Sequence, residues 1–186
     1  ARNVCTVALP DGSIHHRAKI HPTPNERAVW SLAGGDAAEP IEWNGLRFAV
    51  AICYDSEFPE LPRHLVDRGA ELLCVPYCTE TAAGHWRVRH CAAARAVENQ
   101  CYVVTAGLTG ELPRVDNLDV HWADSAILTP CDVGFPTDGV LAAAGPERHA
   151  VLVAELDLAQ LRTVRRAGTV LNRADRRHDL YRIHWS

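Results

Sequence analysis

The sequence contains no methionine among its 186 residues, so it holds no initiator residue and opens on Ala1-Arg2-Asn3. We therefore expect a processed or partial chain whose preceding part is missing. It also lacks any long hydrophobic run, since the longest nearly continuous one, residues 46–54, is only as long as a strand. A membrane-spanning helix needs about 20 apolar residues, so no membrane association is expected.

No basic segment followed by an apolar one begins the sequence, so nothing in it leads us to expect secretion. The seven cysteines are odd in number and scattered, and several lie within apolar runs. This pattern favours free thiols in a reducing cytoplasm over a disulfide framework. The formal net charge is −4, which gives no electrostatic reason to expect nucleic acid. Residues 162–177 are locally rich in arginine despite the negative net charge, and we interpret this stretch as a solvated helix and tail.

Internal repeats, low-complexity tracts and linkers are missing as well, so one domain spanning residues 1–186 is expected. Turn and periodicity signals predict a hairpin over 3–20, helices over 59–68 and 84–100, a short helix from Leu158, and strands over 46–52, 72–77, 101–108, 125–128 and 150–156. Strands that alternate with helices indicate a layered α/β fold with buried strands.

One face of the predicted helix 84–100 carries apolar side chains and a histidine at helical spacing: Trp86, His90, Ala93, Ala94 and Val97. The small residues 92–94 would allow a neighbouring helix or sheet to approach closely.

The chemically most informative segment is Ile52-Cys53-Tyr54-Asp55, which lies between a predicted strand and a predicted helix. Unpaired backbone N–H groups at such a turn favour a thiolate and can hold a developing oxyanion. Cys53 is therefore a candidate nucleophile, although a buried structural cysteine is the alternative that this position alone leaves open.

Several motifs in order along the chain resemble those of the nitrilase superfamily of carbon–nitrogen hydrolases. They are RAKIHP at 17–22, Glu26, ICYDSEFPE at 52–60, Gly69-Ala70, VPY at 75–77, His85-Trp86, RAVEN at 95–99 and the terminal DRR and DLY at 175–177 and 179–181. The similarity is strongest to the branch whose members are often fused to an acetyltransferase domain.

The resemblance implies a four-layer αββα sandwich that pairs through its outer helices into a homodimer or higher oligomer, with its N-terminal portion missing here. It places Cys53 on the nucleophile, Lys19 on the catalytic lysine and Glu26 on a supporting carboxylate. The family's general-base glutamate precedes the lysine, but the acidic residue found there is Asp11, which lies in a predicted turn. We therefore expect that glutamate in the missing portion.

These residue types suit amide hydrolysis through a thioester. Cys53 would attack the carbonyl carbon, while Lys19 and the Tyr54 backbone N–H would stabilise the developing negative charge. Lys19 is also expected to keep the thiol ionised, since an adjacent cation lowers a cysteine pKa. Glu26 could orient Lys19 and keep it charged.

The sequence gives few indications of the substrate, which is expected to be a small non-peptide amide. Several branches carry an arginine after the CYD motif, but Ser56-Glu57 stands here, so a neutral or cationic amide is the hypothesis. Glu57, Tyr77 and Thr79 join Tyr54 as candidate oxyanion or substrate-binding residues, the last two because they end a strand next to the nucleophile. Packing is an equal alternative for Tyr77 and Thr79.

Other functions are weaker interpretations. The ten histidines are scattered and Cys74-x3-Cys78 has no second pair, so neither a metal nor any other cofactor is expected. Protease signatures do not surround Cys53, and no phosphate-binding glycine loop is present. Two alternatives stay open: an inert interaction module, perhaps beside an acetyltransferase, and an acyl transferase that passes the thioester to an amine.

Overall fold

The computed structural model describes residues 1–115, 120–182 and 184. The strands are β1 (Val4–Ala8), β2 (Ile14–Ala18), β3 (Ile41–Trp43), β4 (Leu46–Val50), β5 (Leu72–Tyr77), β6 (Tyr102–Gly107), β7 (Gly110–Glu111), β8 (Val120–His121), β9 (Ala126–Leu128) and β10 (Val140–Ala143). The helices are α1 (Pro24–Trp30), α2 (Glu60–Asp67), α3 (Ala82–Asn99) and α4 (Leu158–Ala167), with a 3₁₀ helix over Cys53–Glu57.

A six-stranded sheet in the order β10-β9-β6-β5-β4-β3 forms the centre of the fold. Strands β4, β5 and β6 run parallel, and β3, β9 and β10 extend the two sides in antiparallel pairings. The parallel strands are joined through α2 and α3, the crossover connection that a parallel pair requires. The predicted α/β class is thus confirmed.

The two faces of this sheet bury different sets of side chains, because successive strand residues point to opposite sides. On one face Leu73 and Val75 of β5 join a core with α2 and α3. On the other face Leu72 and Cys74 join a second core that includes Val7 of the hairpin β1–β2 and residues of α4. Helices, sheet and hairpin therefore stack as successive layers, as expected for the αββ part of the sandwich.

The hairpin β1–β2 is antiparallel with Val4 opposite Ala18, as predicted from its turn residues. It delivers Lys19 to the position just after β2, where α1 begins five residues later. Thr23 caps α1 through a reciprocal capping box: its hydroxyl accepts from the Glu26 N–H, and the Glu26 carboxylate accepts from the Thr23 N–H. Local sequence thus fixes the orientation of Glu26 toward the preceding loop.

Helix α3 buries the side opposite to the predicted apolar face. His85, Val88, Ala92 and Ala96 are buried, whereas Trp86 is 48% exposed and Val97 is 37% exposed. Of the small residues 92–94 that were expected to allow close approach, Ala92 is buried, Ala93 is half-buried and Ala94 is exposed, whereas Ala96 is also buried. The large apolar side chains did not indicate the buried face of α3, because a helix that packs tightly on a sheet presents its small residues to the sheet.

The strand predicted over 150–156 is absent from the described residues, and this expectation was wrong. The segment is extended and alternates in exposure, with Val151 at 90% and Val153 at 86%, but no strand pairs with it. Leu156 still packs against the second core. Alternation of side chains reports an extended backbone, whereas a strand also requires a hydrogen-bonded neighbour.

The arginine-rich stretch is largely engaged within the molecule. Arg162 forms an ion pair with Glu71 at 2.6 Å, and Arg165 donates to the Gln100 carbonyl oxygen at 2.7 Å. In the terminal DRR motif, Arg176 donates to both carboxylate oxygens of Asp67 in α2. These contacts hold α4 and the C-terminal segment against the body of the fold.

None of the described helices is long and apolar enough to cross a membrane.

Candidate active site

Cys53 lies at the junction between β4 and the 3₁₀ helix, as the sequence predicted. Its φ of 50° is in the left-handed region, which a residue with a Cβ rarely adopts. Its Sγ lies 3.8 Å from the carbonyl oxygen of Cys78, at the end of the neighbouring β5. Such unusual backbone conformations concentrate at functional sites, where the surrounding structure maintains them.

Lys19 and Glu26 form a buried ion pair. The Lys19 Nζ donates to Glu26 Oε2 at 2.6 Å, and the two residues are only 2% and 8% exposed. The Asn3 Nδ2 donates to the other Glu26 oxygen at 3.0 Å. Buried charges of this kind are stable only when paired and hydrogen-bonded, and Glu26 satisfies both conditions.

Asp55 connects the segment carrying Lys19 to the one carrying Cys53. Its buried carboxylate accepts from the backbone N–H groups of Ile20, His21 and Ile52, at 3.3, 2.8 and 3.1 Å. The His21 ring nitrogen Nδ1 lies 2.9 Å from the same carboxylate. One side chain therefore fixes the separation between two loops that are 34 residues apart in sequence.

A cavity of about 580 Å³ brings the predicted catalytic residues together. Cys53, Lys19 and Glu26 all line it, and Asn3 closes it beside Glu26. The carboxyl ends of β5 and β6 supply the opposite wall, including Tyr77, Cys78, Glu80, Gly107 and Leu108. Binding sites of open α/β sheets lie at this edge, outside the carboxyl ends of the parallel strands.

The electrostatics of the site differ from the expectation for Cys53. Burial raises the pKa of its thiol above the ordinary value, and the charge of Lys19 with the N–H of Tyr54 offsets this only in part. A proton acceptor near Cys53 would therefore favour formation of the thiolate. Burial also acts to raise the pKa of Glu26, but hydrogen bonds from Lys19, Thr23 and Asn3 together hold it below its usual range. Glu26 is therefore ionised.

Two of the other predicted site residues, Tyr54 and Tyr77, differ in what their side chains contact. Tyr54 directly follows Cys53, and its ring packs edge-on against Phe58 with the ring centroids 4.8 Å apart. Tyr77 lines the cavity, but its hydroxyl also lies 3.0 Å from the His85 Nδ1 and accepts from the Asp124 N–H. Tyr77 thus combines a wall position with a packing role.

Thr79 and Glu57 are not among the described residues that line the cavity. The Thr79 hydroxyl donates to the Trp122 carbonyl oxygen at 2.7 Å, and the Glu57 carboxylate accepts from Arg87 on α3 at 3.1 Å. These contacts give no support to the substrate-binding roles predicted for the two residues, which stay predictions.

Sequence inspection assigned no role to Asp55, Asn3 or Glu80. Asp55 stood within the CYD motif, but its contacts join segments distant in sequence. Asn3 and Glu80 are single polar residues, and only their positions beside strands β1 and β5 hinted at the site. For Glu80 the strand-end rule used for Thr79 would have sufficed if extended by one residue.

A comparison with family models identifies the family of this chain. The family model described as carbon-nitrogen hydrolase matches residues 3–166. The chain belongs to the carbon-nitrogen hydrolase family. Solved structures agree: yeast Nit3, a member of branch 10 of the nitrilase superfamily, has a TM-score of 0.72 and 27% identity over 89% of this chain and 57% of its own.

Curated relatives show the same family membership. The probable hydrolase YhcX of Bacillus subtilis is 42% identical over 98% of this chain, which covers 36% of that protein. The omega-amidase NIT2 of Xenopus tropicalis is 34% identical over 97% of this chain, which covers 64% of it. The NitFhit protein of Caenorhabditis elegans, whose crystal structure has a TM-score of 0.78, is a nitrilase and fragile histidine triad fusion. The chain therefore spans less than two thirds of these relatives.

Across the part of the chain that the structure describes, no group of three or more His, Cys, Asp or Glu side chains is arranged to hold a metal ion. The seven cysteines are free thiols, and only Cys101 is fully buried.

Proposed function

We propose that this chain carries the thiol site of an amidase that hydrolyses a small non-peptide amide, with Cys53 as nucleophile. The observation that carries the proposal is the convergence of Cys53 and the buried Lys19–Glu26 pair on one cavity. The names of the omega-amidase and deaminated glutathione amidase relatives support amide chemistry in the family.

In the proposed reaction the Cys53 thiol loses its proton and Sγ attacks the amide carbonyl carbon, forming a tetrahedral intermediate. The negative charge on the carbonyl oxygen is stabilised by the Lys19 ammonium and the Tyr54 backbone N–H. The position of Lys19 in the wall of the same cavity as Cys53 supports this role. The C–N bond then breaks, and the leaving nitrogen takes up a proton. A thioester remains on Cys53.

Water next attacks the thioester carbonyl carbon, the C–S bond breaks, and the carboxylic acid product leaves with the thiol restored. Each half of this cycle needs a general base, first to take the thiol proton and then to take a proton from water. We assign to Glu26 the orientation of Lys19, since its carboxylate accepts hydrogen bonds from Lys19, Thr23 and Asn3. The general-base glutamate that the resemblance places before Lys19 stays a prediction.

The reactivity of Cys53 tests the proposal. Tryptic peptide 48–63 contains Cys53 as its only cysteine, so its iodoacetamide labelling can be followed separately by mass spectrometry. We expect Cys53 to label faster at pH 7 than the buried thiol Cys101 and faster than Cys74, whose pKa burial raises to about 11. Uniformly slow labelling would instead support an inert interaction module.

Turnover provides the second test, in the complete protein that contains this chain. Cys53→Ala should abolish release of ammonia or amine from a panel of small amides. Cys131→Ala is the matched control, because Cys131 is exposed and lies outside the cavity. Retained hydrolysis in Cys53→Ala would overturn the mechanism.

We also propose that α3 pairs chains through its outward face. Trp86 and Val97 are exposed there, and Leu180 and Tyr181 of the C-terminal segment are exposed as well. Trp86→Ser should shift the protein toward monomer in light scattering, and an unchanged mass would contradict this role.

An adjoining acetyltransferase domain and a cytoplasmic location both stay predictions. The NitFhit relative shows that fusion to another domain occurs in this family.

A further inference from the structure

The charges lining the active-site cavity do not balance. The charged residues described along its wall are Lys19, Glu26 and Glu80. Lys19 and Glu26 neutralise each other in their 2.6 Å ion pair. Glu80 therefore leaves the cavity with one uncompensated negative charge.

Glu80 has no cationic partner among the described residues, because none of the ion pairs found there includes it. It is exposed, whereas Thr79 before it is buried, so Glu80 lies where the cavity wall meets solvent. Thr81, the next residue, caps α3 through its hydroxyl, which accepts from the Gly84 N–H. The cap of this helix is thus already supplied by another side chain.

Much of the cavity wall is apolar. Val4, Trp30 and Leu108 line it together with Tyr77. An apolar wall of this kind suits a short methylene chain, and the Trp30 indole adds an aromatic surface that attracts cations. The cavity thus presents an amide-reactive thiol, an apolar stretch and a carboxylate.

We propose that Glu80 selects substrates whose amide is joined by a short aliphatic chain to a cationic group, an ammonium or a guanidinium. The proposal rests on the amidase function proposed above and narrows its substrate class. The amide carbon would lie at Cys53, and the cation would form a charge-assisted hydrogen bond with the Glu80 carboxylate. An anionic group in the same place would face an unpaired carboxylate and be rejected.

Charge-matched thiol reagents test this without requiring turnover. Methanethiosulfonates with an ethylammonium or an ethylsulfonate group transfer their thioalkyl group to a thiolate and release methanesulfinate. The initial rates at Cys53 are measured on peptide 48–63 under non-reducing conditions. Because one charge a few ångströms away changes each rate about threefold in opposite directions, Glu80→Gln should lower the ammonium-to-sulfonate rate ratio about 10-fold.

Glu42→Gln is the matched control, since Glu42 lies on β3 outside the cavity and forms an ion pair with Arg47. The rate ratio in this variant should equal that of the parent protein. Loss of reactivity with all reagents alike in Glu80→Gln would indicate a general role in the site and overturn the proposal. An unchanged ratio with Cys53 still reactive would also overturn it while leaving the amidase function standing.

Hydrolysis supplies the second readout in the complete protein. The probes are 5-aminopentanamide, pentanamide and glutaramate, which differ mainly in the charge at the far end. We expect kcat/KM to favour 5-aminopentanamide by roughly 10-fold or more, a preference that Glu80→Gln removes and Glu80→Lys turns toward glutaramate. Equal hydrolysis of all three would refute the selection, whereas no hydrolysis together with an inert Cys53 would refute the amidase function itself.

Discussion

The buried Lys19–Glu26 pair permits a quantitative prediction about folding stability. Lys19→Met keeps an unbranched side chain of similar length but leaves the Glu26 carboxylate buried without its cation. Breaking a buried pair in this way costs about 3–5 kcal/mol. Glu26 keeps the donors from Thr23 and Asn3, at 2.7 and 3.0 Å, so we expect about 3 kcal/mol.

A double-mutant cycle measures the interaction energy between Lys19 and Glu26 separately from the contribution of each residue alone. Glu26→Gln preserves the shape of the side chain and the acceptor oxygen that the capping box uses, but it leaves the Lys19 ammonium buried without its anionic partner. In Lys19→Met/Glu26→Gln no buried charge remains, so the double variant should be more stable than the sum of the two losses by about 2 kcal/mol. Urea unfolding at pH 7, followed by circular dichroism, measures each free energy of unfolding.

The pH dependence supplies an independent check. In the parent protein the folded pKa of Glu26 lies below its unfolded value of about 4.3, so its contribution to stability is complete above that pH and lost as the pH falls through the folded pKa. In Lys19→Met the uncompensated burial acts in the opposite direction. The stability difference between the two proteins should therefore be largest near pH 7 and shrink below about pH 4. Additive single effects, or a difference that does not change with pH, would refute the coupling.

Three further predictions concern the cavity wall and the thiols. Gly107→Ala would place a Cβ 2.4 Å from the Tyr77 ring, so it should destabilise the fold by about 1–3 kcal/mol and lower turnover, as thermal unfolding and amide hydrolysis would show. Tyr77→Phe removes the hydroxyl next to His85 and should cost about 1–3 kcal/mol, with Cys53 labelling as the functional control; an unchanged Tm would contradict the packing role. At pH 8, Cys131 should react with iodoacetamide while Cys101, whose pKa burial raises to about 12, stays unlabelled until unfolding.

Local patterns were sufficient for much of the fold. The hairpin turn at 10–13 and the parallel-sheet strands β4 to β6 follow from residue types that act over a few positions. The outward face of α3 did not follow, because Trp86 and Val97 resemble core residues while Ala92 and Ala96 do the packing. Which face of a helix is buried depends on the distance to its neighbour, and no single segment encodes that distance.

The candidate site, like the fold, has features that the local sequence predicts and features that it does not. That Cys53 and Lys19 belong to the candidate site could be predicted, because each lies in a contiguous motif at the end of a strand, and both line the cavity. The function of Asp55 could not, since its carboxylate binds backbone N–H groups of Ile20 and His21, which carry no side-chain signature. The raised pKa of the Cys53 thiol could not be predicted either, because it depends on how far the fold removes the sulfur from water.

Strand β5 shows how a difference of one residue changes the functional conclusion. Tyr77 and Cys78 both line the cavity, but the chain then turns Thr79 inward, where its hydroxyl bonds to Trp122 and its Cβ approaches Gly84. The next side chain, Glu80, returns to the cavity. A threonine in the wall would have offered a neutral hydroxyl to the substrate, whereas the glutamate offers a charge. The proposed preference for a cationic substrate therefore depends on the direction of the backbone at the end of β5, and charge selection measured at residue 80 also tests that local geometry.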